Sequence, residues 1–194
     1  MTPAELFHSA GWAGYLSAAA TVVTFVTGVL FFTKGQPYGT AQDAASVFQM
    51  LFTLLIVLAL YHLLRPDAQA LNPLAAAVGV IGLLVAAALQ TLLVLGKVHF
   101  EQTIGKVLGA GAAIGVWVVA TGCLTLASGT QPSGLAWMGP IAGGGYTLLV
   151  VGFWQGGQQH PLFTVGSLAA MIGYPVWAIW LGRALISGTL TTSA

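Results

Sequence analysis

Long apolar runs alternate with short polar breaks along the whole chain. Thr2-Pro3-Ala4-Glu5 opens the first run. Thr2 can cap a helix, Pro3 suits its first position, and Glu5 can close a capping box. The helix then continues to about Phe32, and His8 and Trp12 share a face with Glu5, so its first turns are expected to lie on a surface. Lys34-Gly35-Gln36-Pro37-Tyr38-Gly39 is a loop of turn-forming residues. Thr40-x-x-Asp43 reads as a second capping box and opens a helix that reaches Leu64. Pro66 stops it, because proline lacks the N–H and restricts the residue before it.

Arg65 to Asn72 forms the next turn, and Asn72-Pro73 starts a third helix that runs to about Leu95. The break from Gly96 to Lys106 is the most charged in the chain, with Lys97, His99, Glu101 and Lys106. A fourth helix is expected from about Lys106 to Ala127, and Gln131-Pro132-Ser133-Gly134 turns the chain again. The fifth runs from about Leu135 to Trp154 through Gly139-Pro140 and Gly143-Gly144-Gly145, its least helix-favouring stretch. His160-Pro161 opens the sixth, expected to reach about Ile186 with an interruption at Gly173-Tyr174-Pro175.

A span needs about 20 apolar residues, since a rise of about 1.5 Å per residue must cover about 30 Å of hydrocarbon. The six runs meet that length at about 9–32, 44–64, 73–95, 106–127, 135–154 and 162–186. The expected fold is all-α: one bundle of six transmembrane helices over residues 1–194, with both termini on the same side. Composition agrees, for 57% of the 194 residues are hydrophobic and only 5% charged, against about 25% charged in a soluble domain. The first helix reads as retained, since the N-terminus lacks the basic region of a signal peptide.

Net charge is close to zero, so no basic field exists to attract nucleic acid. Arg65 and Arg183 fall on the terminal side and Lys34, Lys97 and Lys106 on the other, which is nearly a tie. The reading leans to cytoplasmic termini. Cys123 has no cysteine partner and reads as a small buried residue.

Every Asp, Glu, Lys and Arg falls at or near a helix end, which argues against a proton-coupled pump and against an acidic catalytic dyad. The chain therefore reads as non-catalytic. Gln49 and Gln90 are the candidates for polar groups inside the bundle, and Trp154, Gln155, Gln158 and Gln159 near one surface could hold an amphiphile between aromatic walls and amide ends. The alternative is redox chemistry with no other cofactor than a b-type haem, held by pairs among His8, His62, His99 and His160. No His pair has zinc-ligand spacing, so no metal site is expected. A third class is a small transporter or channel through a break in the fifth helix.

Gly109, Gly111 and Gly115 in the fourth helix, and Gly143, Gly144 and Gly145 in the fifth, are candidates for close helix packing. Trp177, Trp180 and Arg183 follow at spacings of three and, with Arg65, read as interfacial anchors.

Gly14-Tyr15-Leu16, Leu60-Tyr61-His62-Leu63-Leu64-Arg65-Pro66 and Tyr174-Pro175-Val176-Trp177-Ala178-Ile179-Trp180-Leu181-Gly182-Arg183 resemble the matching helix segments of a bacterial multi-pass membrane family known only as a domain of unknown function. The resemblance implies about six spans in a bacterial inner membrane and supplies no activity or cofactor. The chain departs from that family in its glycine-rich fifth helix and its acidic N-terminus. The functional expectation is an integral membrane protein that binds a lipid or small lipophile, or that packs as an accessory subunit. Its partners would be membrane lipids, other membrane subunits or copies of itself.

Overall fold

The computed structural model describes residues 2–65 and 70–190, and Pro66 with most of the turn after it lies outside them. Six helices form: α1 Pro3–Lys34, α2 Tyr38–Leu64, α3 Leu71–Val94, α4 Phe100–Ser128, α5 Ser133–Gly156 and α6 Pro161–Ser187, with a short 3-10 turn at Gly157–Gln159. All six are long and apolar enough to cross a membrane, and the protein is a multi-pass membrane protein. Each helix packs on its sequence neighbour, and α6 returns to α1, so the bundle is a closed ring. Gly11 and Gly14 of α1 meet Gly182 and Ala178 of α6, which puts both termini at one end of the bundle, here the terminal end.

The helix starts differ in their chemistry. Thr2 N–H donates to Glu5 Oε2 at 2.7 Å and Glu5 N–H donates to Thr2 Oγ1 at 3.3 Å, the reciprocal pair expected of that sequence. The capping box expected at Thr40 and Asp43 does not form. Helix α2 begins earlier, at Tyr38, and Gln36 Oε1 accepts from Thr40 N–H at 3.3 Å and Thr40 Oγ1 at 3.2 Å. Asp43 is thereby left in the second turn with no capping role. Helix α4 also begins early, at Phe100, so Glu101 and Lys106 are helical rather than part of a loop. At the terminal end Asn72 Nδ2 donates to Tyr61 O at 2.8 Å, so the start of α3 satisfies a carbonyl near the end of α2.

The interruption expected in α6 is absent, and α5 has no break of the kind a transporter reading needs. Helix α5 continues through Pro140, which packs against Gly122 of α4, and α6 continues through a buried Gly173-Tyr174-Pro175. Neighbouring helices can accommodate a proline in a span. In the first turns of α1, Glu5, His8 and Trp12 are exposed on one side while Leu6 and Ala10 are buried in the core on the other.

Backbone approach explains the ring. A Cβ on Gly115 would sit 2.7 Å from Gly143 O, and one on Gly145 would sit 2.5 Å from Ala170 N, so α5 is pressed between α4 and α6. Gly109 and Gly144 take no part, since a Cβ at either meets nothing within 4 Å, and Gly111 faces only Tyr146 at 4.0 Å. Of the expected anchors, Arg65 and Arg183 are exposed and Trp180 is 40% exposed, but Trp177 is only 2% exposed. A spacing of three falls about 60° short of a full turn, so residues 177, 180 and 183 fan from core to surface. Cys123 is exposed rather than buried.

Replacing Gly145 with leucine should therefore separate α5 from α6 and lower the midpoint of thermal unfolding in detergent. Gly144→Leu, one residue away, should leave it unchanged. Equal midpoints for the two variants would show that backbone contact at Gly145 does not hold the pair.

Candidate functional site

The ring is solid at the terminal end and hollow at the other. The solid half is filled by Leu60, Leu63, Leu135, Leu181, Trp117 and Trp177, all essentially buried. Trp117 of α4 and Trp177 of α6 meet edge-on with ring centres 6.1 Å apart, and Tyr174 lies 5.7 Å from Trp177. Tyr146 of α5 extends this run of rings, 6.2 Å from Tyr174. Above these rings lies a cavity of about 340 Å³ lined by all six helices, within the range of small-ligand sites.

Three helices share one hydroxyl cluster at the cavity floor. Ser17 Oγ of α1 is 2.7 Å from Tyr174 OH of α6 and 3.0 Å from Thr53 Oγ1 of α2, while Thr53 Oγ1 and Tyr174 OH are 2.6 Å apart. Gln49 O, one helical turn before Thr53, accepts at 2.7 Å from Thr53 Oγ1. Gln49 Nε2 donates to Tyr146 OH at 3.4 Å. These groups tie α1, α2, α5 and α6 together at about half depth, where an unpaired buried group would be costly.

The walls above the floor are apolar, with Met50, Leu83, Ile114, Leu149 and Met171 prominent. A second polar level lies nearer the mouth, with Thr24, Gln42, Asp43, Ser46 and Gln90. Thr24 Oγ1 and Ser46 Oγ pair at 3.2 Å. Gln90 Oε1 is buried and has no hydrogen-bond partner. Phe31 of α1 and Phe100 of α4, on helices that are not neighbours in the ring, bring their rings to 6.5 Å across the mouth.

One wall is incomplete. The stripe of α1 that packs on α6 through Gly11 and Gly14 continues, at helical spacing, to Phe25, Val29 and Phe32. These three line the cavity and yet are 46%, 50% and 67% exposed. The seam between α1 and α6 is thus closed at the terminal end and parted at the other, where the hollow meets the lipid-facing surface.

The residues singled out from the sequence are divided by this geometry. Gln49, Gln90 and Gln158 line the cavity. Trp154 is 68% exposed and faces outward, and Gln155 and Gln159 are exposed beside it, so these three are not cavity walls. His8, His62 and His99 are exposed, and His160 Nδ1 accepts from Leu162 N–H at 3.3 Å as the cap of α6. None of the four lines the cavity. Among the described residues no cluster of three or more His, Cys, Asp or Glu could hold a metal ion. Sequence reasoning missed Ser17, Thr53, Tyr146, Tyr174 and Asp43. The signal for the first two was a small hydroxyl residue in each of two adjacent spans, which by itself is too common to read.

Compared with known proteins, the chain matches no family model, no curated protein and no solved structure.

Tyr174→Phe should cost about 1 kcal/mol, the net worth of a hydrogen bond in this setting, because Ser17 and Thr53 still pair with each other. Thr53→Val with Tyr174→Phe leaves Ser17 Oγ only its 3.4 Å hydrogen bond to Gln49 O and should cost more than the sum of the separate changes, as read in a double-mutant cycle of unfolding in detergent. Strict additivity would mean that the three hydroxyls do not act as one cluster.

Proposed function

We propose that this protein binds a small lipophile in its half-depth cavity and carries out no chemistry on it. The observation that carries the reading is a largely apolar hollow, lined by all six helices, with polar groups at its floor and mouth. Sites for small molecules have this character: mostly apolar walls and a few polar groups that fix orientation. The parted seam between α1 and α6 supports the same reading, since it gives a lipid-dissolved molecule a sideways route that avoids water. The aromatic and hydroxyl floor argues against a continuous pore, because Leu60, Leu63, Leu135, Leu181, Trp117 and Trp177 below it are buried. The likeness of the Leu60–Pro66 and Tyr174–Arg183 stretches to a bacterial family supports the cytoplasmic membrane of a bacterium as the location.

Native mass spectrometry of the protein released gently from its own membranes tests this. A discrete lipophile should accompany the chain. Gly111→Phe should remove it without unfolding the bundle, because a side chain there enters the cavity and meets only Tyr146. Gly144→Leu, which points into open space, should retain it. A bare wild-type chain, or an adduct that survives Gly111→Phe, would count against the cavity as the binding site.

A further inference from the structure

Among the described residues, the mouth of the cavity carries a single charged side chain. Asp43 lies five residues into α2, about 7 Å below the helix start. Among the described residues, no lysine, arginine or histidine lines the cavity. Lys34 and Lys106 are exposed, and Lys97 sits in the exposed α3–α4 connection. Gln90 lies about 6 Å below the end of α3, the helix beside α2, and so at a comparable depth. Its Oε1 is the one buried side-chain polar atom without a partner among the described residues.

These two unspent groups have the same sign. A carboxylate accepts hydrogen bonds and attracts positive charge, and an amide oxygen only accepts. The polar groups at the floor are occupied by one another: Thr53 Oγ1 bonds Gln49 O, and Gln49 Nε2 bonds Tyr146 OH. Phe25, Phe32 and Phe100 line the same end of the cavity and offer ring faces of negative potential. A carboxylate half-buried among apolar groups is costly unless it is paired. An anionic head would meet Asp43 with no cation to offset it. A neutral alcohol could satisfy Gln90 but would leave Asp43 without a counter-charge.

We propose that the cavity selects a lipophile with a cationic ammonium head, which Asp43 and Gln90 hold at the mouth while its apolar body lies along Met50, Ile114 and Met171. The proposal rests on the cavity being a lipophile site and adds the charge of its ligand. An ammonium supplies both what Gln90 lacks, an N–H donor, and what Asp43 lacks, a positive charge.

The test uses the full chain in nanodiscs of zwitterionic lipid, titrated with dodecylammonium, dodecanol and dodecanoate and read by native mass spectrometry. Dodecylammonium should bind one per chain and more tightly than either counterpart. Asp43→Asn should weaken it by about tenfold, the order of one charge-assisted contact, while Asp43→Glu keeps most of the affinity. Gln90→Leu should weaken it as well, and dodecanol should respond little to Asp43→Asn. If dodecanol or dodecanoate binds as tightly as the amine, or if Asp43→Asn changes nothing, cation selectivity is overturned while lipophile binding stands. If none of the three binds, the cavity reading falls and the selectivity with it.

Discussion

Helices in lipid gain nothing by burying apolar side chains against each other, since the surrounding hydrocarbon is as apolar as leucine. They stay together where their backbones can touch. Everything else in this bundle depends on where that contact is permitted. Gly115 with Gly143, Gly122 with Gly139, Gly145 with Ala170 and Gly182 with Gly11 and Gly14 bring four helices to close range. Where the glycines of α1 give way to Phe25, Val29 and Phe32, the α1–α6 seam parts and the cavity appears. The hollow is therefore a product of where small residues stop.

The floor divides a packed half from an open half, and it does so with two different kinds of contact. The run of rings from Tyr146 through Tyr174 and Trp177 to Trp117 fills the bundle axis. The hydroxyls of Ser17, Thr53 and Tyr174 fix where that run sits, because a hydrogen bond has a direction and apolar packing in lipid does not. Tyr174 belongs to both sets. That double role explains a fully buried tyrosine next to a proline in the middle of α6.

The number, length and order of the helices were legible in the sequence, because span length is set by the bilayer and each polar break falls where a helix must end. The Thr2–Glu5 cap was legible for a local reason, as both its partners lie within one turn. The second cap was not, because Gln36 took the place expected of Thr40 and Asp43 and moved the helix start upstream. Trp177 and Trp154 were misplaced for one shared reason. In a chain that is apolar on every face, periodicity does not say which side meets the neighbour, so a core tryptophan reads as an anchor and a lipid-facing one as a wall. The cavity groups were partly legible: Gln49 and Gln90 stood out as polar residues in apolar runs, while Ser17, Thr53 and Tyr174 come from spans far apart in sequence.

The depth of Asp43 has an electrical consequence. Moving one elementary charge through the full membrane potential is worth about 2.3 kcal/mol per 100 mV. If the hollow above the floor is wetted, the potential falls mainly across the packed half around Trp117, Trp177 and Leu181, where no charged side chain is buried among the described residues. A charge resting beside Asp43 would then lie on the near side of almost the whole drop. Occupancy at the mouth would follow the local concentration of ligand and hardly register whether the cell is energised.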